Sequence, residues 1–419
     1  MKHLRTFLAT AALCVASAVS AQTLKVYTGQ VAIAFPATAT GEMKYVGSAL
    51  TIGSMTFDLA TVDSITVDRS EIVPSSVGVT YDDAAGARVT IAADVAPYFV
   101  TKQVVGNHVS LVANNSLTDE VTYTLSGAAA NGSFYMDGEY KSTIALNGVS
   151  LTNPDSAAIC IDNGKRINVV LTDGTSNTLV DCVGGTQKAC FFINGHAEFK
   201  GSGALTLTGN TKHAYASDEY TVLHASVGNI TVTGAVSDGL HVEQYFKMSG
   251  GTLTVGGTKG DCIDVSPTKD ATDELNGQVL INGGRLTMSV DAEDVKGLKC
   301  DSAMTIMGGT IHANVNGNGT KGFSVGTDLY IGQAEGATTA ITMNVAGTTY
   351  HKGEVDESKC RGIKVKGNYT LAGGTISMNV TGKKAKGISV DGLYTKTGGT
   401  TRIQRCCCNF YRTARFNLP

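Results

Sequence analysis

Residues 294–326 read DVKGLKCDSAMTIMGGTIHANVNGNGTKGFSVG, and the phrase Lys296-Gly297-Leu298-Lys299-Cys300 returns 25 positions later as Lys321-Gly322-Phe323-Ser324-Val325. Followed both ways, the leading charged position recurs at Lys188, His213, Asp238, Asp261, Lys296, Lys321, Arg361 and Lys386, at steps of 25, 25, 23, 35, 25, 40 and 25. A fixed step with a few longer ones marks a solenoid whose coils carry loop insertions.

Each unit holds a second phrase, Gly-Gly-Thr or a relative, as at Gly250-Gly251-Thr252, Gly308-Gly309-Thr310 and Gly373-Gly374-Thr375. Between the phrases lie short runs of alternating apolar residues, such as Thr375-Ile376-Ser377-Met378-Asn379-Val380, so each coil reads as about three short strands with glycine corners. The period of two excludes a helical repeat, and the step is too short for propeller blades. Stacked at roughly 4.8 Å per coil, such units pair their backbones in parallel and share one core. The expectation is an all-β chain: a right-handed parallel β-helix over about residues 135–400, the hand following the general preference of parallel crossovers. Two inward columns follow: Cys190, Tyr215, Leu240, Ile263, Leu298, Phe323, Ile363 and Ile388, then Val242, Val265, Cys300, Val325, Val365 and Val390.

The composition agrees. Among 419 residues there are 50 Gly, 6 Pro and no Trp, the mix of a chain built from strands and tight turns. Residues 1–21 open with Lys2 and Arg5, continue through an apolar run and end Val19-Ser20-Ala21, the pattern of a secretory signal peptide; an exported chain, secreted, periplasmic or at the cell surface, is expected. No later run resembles a membrane helix. Without residues 1–21 the chain has 31 bases against 36 acids, and without the last 18 residues 27 against 36, a net −9. That balance argues against nucleic acid as a partner and accords with cation binding. The ten cysteines show no CxxC spacing, which argues against zinc; Cys190 and Cys300 read as core fillers. Residues 22–130 lack the repeat and read as a small antiparallel β region covering the first coil, the solenoid occupies 131–401, and residues 402–419, with four arginines and three adjacent cysteines, read as an aberrant tail, possibly from a shifted frame.

The polar letters change character along the stack. The leading column passes from Asp238 and Asp261 to Lys296, Lys321, Arg361 and Lys386, and the position three residues on runs His241, Asp264, Lys299, Ser324, Lys364, Ser389. Neighbouring carboxylates at coil spacing repel unless solvated or sharing a cation. Asp238, Asp261 and Asp264, with Asp294 and Asp301 to complete a shell, are therefore the candidate ligands of Ca²⁺, which favours oxygen donors. The bases Lys296, Lys299, Lys321, Arg361 and Lys364, with His241, Glu243 and the loop residue Lys269, are the candidate contacts for a polymer bearing regular carboxylates. No catalytic residue is assigned. Lys269, Lys296 or Lys299 would serve as the base of a β-elimination and Asp261, Asp264 or Asp294 in a hydrolysis, but residues of these types occur on any charged face.

Five stretches, Ile144 to Val149, Gly164 to Val169, Gly174-Thr175-Ser176-Asn177-Thr178-Leu179-Val180-Asp181, Lys200 to Leu205 and Asp238 to His241, resemble secreted carbohydrate-binding β-helix proteins related to a clostridial polygalacturonate-binding protein, similar in fold to pectate lyases. Residues 22–130 resemble N-terminal regions of exported Bacteroidota proteins. The resemblance covers about residues 135–400 and implies calcium sites, binding of acidic polysaccharide and no established turnover. The chain departs from it where later coils put Lys or Arg at the Asp238 position. A noncatalytic, Ca²⁺-dependent binder of uronate-containing polysaccharide is expected, with a pectate-lyase-like enzyme and an adhesin or structural spacer as its rivals.

Overall fold

The computed structural model describes residues 22–354 and 356–405. The expected signal peptide and residues 406–419 lie outside the described residues. Within them strands dominate, the helical turns are Ala37–Ala39 and Ala96–Tyr98, and no helix is long and apolar enough to cross a membrane.

From Ala189 onward each coil gives one strand to each of three parallel stacks. The first stack, called here the charged face, comprises Ala189–Ile193, His213–Ser217, Leu240–Glu243, Ile263–Ser266, Lys296–Cys300, Lys321–Val325, Arg361–Val365 and Lys386–Val390. The second ends with Met304–Ile306, Leu329–Ile331, Tyr369–Leu371 and Tyr394–Lys396; the third ends with Gly309–Val315, Thr339–Val345, Thr375–Val380 and Thr400–Arg405. This is the parallel β-helix that the sequence predicts. Its core columns stack in register: Leu240, Ile263, Leu298, Phe323, Ile363 and Ile388, and beside them Val242, Val265, Cys300, Val325, Val365 and Val390. All but Ile388 and Val390 are buried, and each side chain of this size taken out of water stabilises by about 1.5–3 kcal/mol.

The glycine of the phrase has a packing reason. A Cβ on Gly297, Gly322 or Gly362 would lie 2.6 Å from the carbonyl oxygen of the glycine one coil further on. The strands approach there too closely for any side chain.

The structure departs from the sequence reading in two places. On the charged face Ala189, not Lys188, pairs with His213, and Phe191, not Cys190, pairs with Tyr215. The one-residue slip sets Phe191 edge-on to Tyr215, ring centroids 5.8 Å apart, which buries more apolar area than a thiol could. Cys190 is nevertheless fully buried. In addition, Arg402 does not begin the tail: Thr400–Arg405 is a strand in register with Thr375–Val380. Backbone pairing needs no side-chain pattern, so the break in composition at Arg402 does not break the ladder.

The two long steps are insertions. One, residues 267–277, joins the charged face to the second stack; the other carries a hairpin of Tyr350–Lys352 against Asp356–Ser358. At the start of the chain, antiparallel pairs Thr23–Thr28 with Val31–Pro36 and Ser76–Tyr81 with Arg88–Ala92 form the expected covering region. It is bonded onto the solenoid, since Ser76–Tyr81 runs parallel to Val121–Ala129 and Asn107–Ala113 parallel to Gly132–Asp137. Parallel stacking thus begins ahead of residue 131.

Candidate functional site

The leading charge of the repeat closes the turn that enters each strand. Asp238 Oδ1 accepts the Asp261 N–H at 2.7 Å, and Asp261 Oδ1 accepts the Lys296 N–H at 2.7 Å, so each acid satisfies a backbone donor one coil further on. The bases work within their own coil: Lys296 Nζ donates to the Asp294 carbonyl (2.7 Å), Lys321 Nζ to the Gly319 carbonyl (3.0 Å) and Arg361 to the Cys360 carbonyl (2.9 Å). Much of what sequence assigns to ligand contact is therefore structural.

The acids and bases meet along one line of the charged face. Asp238 Oδ2 lies 3.2 Å from His213 Nδ1 and 3.5 Å from His241 Nδ1; His241 Nδ1 lies 3.2 Å from Asp264 Oδ2; Lys299 Nζ donates to Asp264 Oδ1 at 2.7 Å and stands 3.7 Å from Asp301. Burial pushes the Asp238 carboxyl up, but the two imidazoles and the Asp261 N–H outweigh it and hold it well below the usual carboxylate range. Asp264 is likewise lowered, burial being outweighed by His241 and Lys299. The carboxylates of Asp238 and Asp264 close to its Nδ1 raise His241 to about 9 against its burial, whereas burial lowers His213. Asp261, half-buried with no imidazole beside it, is raised by desolvation to about 6.

Ca²⁺ takes six to eight oxygens, and the five acids named for it do not supply such a cage. Asp238 and Asp264 face imidazole and ammonium nitrogens, Asp261 caps a backbone N–H, Asp294 stands 3.8 Å from Lys321, and Asp301 lies against Lys299. Among the described residues the one group of three side chains placed to hold a metal is His213, Asp238 and His241, their ligand atoms within 4.8 Å of one another. His213 belongs to the repeat's charged column, which was the signal available in the sequence.

The basic registers form as the repeat implies: Lys296, Lys321, Arg361 and Lys386 in one, Lys299, Ser324, Lys364 and Ser389 in the other. They are not uniformly open. Arg361 is buried, Lys321 also donates to Ser358 Oγ at 2.9 Å, and Lys364 is paired with Asp391. At the last coils the exposed Lys366, Lys383, Lys384 and Lys386 have no carboxylate within 4.0 Å among the described residues, and the same holds for exposed Lys212 and Lys259 beside earlier coils. Sequence reasoning passed over Lys366, Lys383 and Lys384 because they flank the repeat phrase. Glu243 sits in register with Ser266 and adds, with other acids, to the burial that raises Glu219, while Lys269 is exposed on the insertion.

A second surface feature lies on the neighbouring stack, where His196, Tyr220 and Tyr245 are piled ring on ring at centroid distances of 4.5 and 4.8 Å. The faces of the inner ring are covered by its neighbours, so this column meets solvent chiefly with ring edges. The hollow lined by Thr172, Asp173, Lys200, Ser202 and Ser226 is likewise away from the charged face.

A family model described as "Carbohydrate-binding domain-containing protein" matches residues 113–406, over two thirds of the chain. A protein of Acetivibrio thermocellus with the same description is 29% identical over 126 residues, which is 28% of this chain and 43% of that protein, so the match spans less than half of the relative's length. The solved structure of the polysaccharide lyase-like protein from C. thermocellum, a gadolinium derivative, superposes with a TM-score of 0.50 at 23% identity, covering 64% of this chain and all of the other. At that identity the likeness speaks for the fold.

Proposed function

Because the chain belongs to the family of carbohydrate-binding domain-containing proteins, we propose that it is a noncatalytic binder of acidic, uronate-bearing polysaccharide, held across the charged face at the last coils. The observation that carries this reading is the set of exposed Lys383, Lys384 and Lys386 beside the registers of Lys321, Arg361 and Lys364. Strands about 4.8 Å apart repeat a positive group at a spacing that an extended chain of carboxylates can follow. A polymer needs a long open face rather than a deep pocket, and the solenoid supplies one. The protein acts outside the cytoplasm, a reading that rests on the leader-like residues 1–21.

A lyase needs an unprotonated base beside the sugar ring. Lys299 is the opposite: burial opposes its charge, but Asp264 and the neighbouring acids prevail and raise its pKa, so the amine is held charged. Lys296 is occupied with the Asp294 carbonyl. These contacts favour binding over turnover. Calcium dependence, the finer expectation from the acidic residues, has no oxygen cage to support it, and the proposal derives no step from it.

The test is a glycan array screened with Ca²⁺ and with EGTA, at low and high salt. Uronate polymers are expected to be retained over neutral ones, in EGTA as in Ca²⁺, and to be lost as salt screens the lysines. Salt-insensitive retention of neutral glycans sinks the acidic specificity, and loss in EGTA that added Ca²⁺ reverses and added Zn²⁺ does not restores the calcium reading. Ultraviolet-absorbing unsaturated product from pectin would overturn the noncatalytic one.

A further inference from the structure

We propose that His213, Asp238 and His241 form a binding site for one borderline divalent transition-metal ion of the zinc class, with two imidazole nitrogens and one carboxylate oxygen as donors and the fourth position open.

The distances already have the scale of a coordination shell. An ion with bonds of about 2.0–2.1 Å in a tetrahedron sets its ligand atoms about 3.3 Å apart. The two edges that meet at Asp238 Oδ2, from His213 Nδ1 and from His241 Nδ1, measure 3.2 and 3.5 Å, and the three ligand atoms all lie within 4.8 Å of one another.

The outer partners point the same way. Asp238 offers Oδ2 because its Oδ1 is held by the Asp261 N–H, the kind of support that orients metal ligands. Asp264, its Oδ1 held by Lys299, stands behind His241 as an outer partner, 3.2 Å from Nδ1. The buried His241 Nδ1 makes no well-formed hydrogen bond to either carboxylate that flanks it. The two rings lie 4.6 Å apart and 15° from parallel, so one must turn for both in-plane lone pairs to meet the same ion. One competitor is visible, the Asp238 N–H, 3.2 Å from His213 Nδ1. Two nitrogens with one carboxylate oxygen select against Ca²⁺ and Mg²⁺ and for zinc and its neighbours. The ion would pin two successive coils, that of His213 and that of Asp238 with His241, and the proposal does not depend on which glycan is bound.

The experiment titrates Co²⁺ into the untagged, metal-stripped full chain and follows visible absorption, with Zn²⁺ and Ca²⁺ as competitors and thermal unfolding as a second readout. One equivalent of saturable Co²⁺ with a tetrahedral spectrum is expected, displaced by Zn²⁺ and not by Ca²⁺. His241→Gln, at a partly exposed position, should weaken uptake at least about tenfold and abolish the rise in melting temperature that Zn²⁺ gives the parent. If the buried site does not tolerate that change, Asp238→Asn serves in its place. Absence of saturable uptake, uptake equally displaced by Ca²⁺, or uptake unchanged in the folded variants overturns the proposal and leaves a proton on His241 as what joins the two carboxylates.

Discussion

Asp261 shows how far a single letter of the repeat can carry an energetic consequence. Burial raises its carboxyl to about 6, against an ordinary value near 4 in the unfolded chain. It therefore binds its proton more tightly folded than unfolded, so the stability it contributes is present below about pH 4 and is lost as pH rises through about 6, on the order of 3 kcal/mol. Asp261→Asn keeps an acceptor for the Lys296 N–H and removes the charge. In the metal-free chain it should raise the urea midpoint at pH 7 and flatten the decline between about pH 4 and 6; an unchanged midpoint would show that the carboxylate is solvated. Gly322→Ala would place a Cβ 2.6 Å from the Gly362 carbonyl oxygen and should cost about 1–3 kcal/mol, read as a lowered midpoint. The apolar letters of the phrase were legible because a period of two states which way they point. The charged letters were not, since spacing alone does not reveal that Asp238 bonds to a backbone N–H one coil away.

At the scale of the strand, Phe323 fills the space between Leu298 and Ile363 in the core column. Phe323→Ala should cost about 3–5 kcal/mol. Because each coil touches chiefly its neighbours, the damage should be local: hydrogen exchange should speed up in Lys296–Cys300, Lys321–Val325 and Arg361–Val365 and stay slow in Val121–Ala129. Uniform acceleration would mean that the stack unfolds as a single unit. The long steps in the repeat disclosed both insertions, although not the hairpin Tyr350–Ser358 or the bond from its end to Lys321. The slip at Phe191 was hidden for a similar reason. The residues ACFFI are apolar at every position, so no alternation marks which of them faces inward.

Over the whole molecule the net charge and the local charge have opposite signs. Residues 22–401 carry 27 bases against 36 acids, yet four exposed lysines without an ion pair among the described residues, Lys366, Lys383, Lys384 and Lys386, lie at the last coils. The sequence disclosed that base replaces acid along the column; the pairing that neutralises Lys299, Lys321 and Lys364 depends on acids that only the folded turns bring near, such as Asp301, Asp294 and Asp391. The most direct test is the affinity of the full chain for polygalacturonate, measured by calorimetry for the parent and for the triple variant Lys383→Gln, Lys384→Gln, Lys386→Gln. These side chains are exposed and should leave the melting temperature unchanged. The account predicts at least about a tenfold loss of affinity, or 1.4 kcal/mol, together with a weaker dependence on salt. Equal affinity in parent and variant, at every salt concentration, would contradict it.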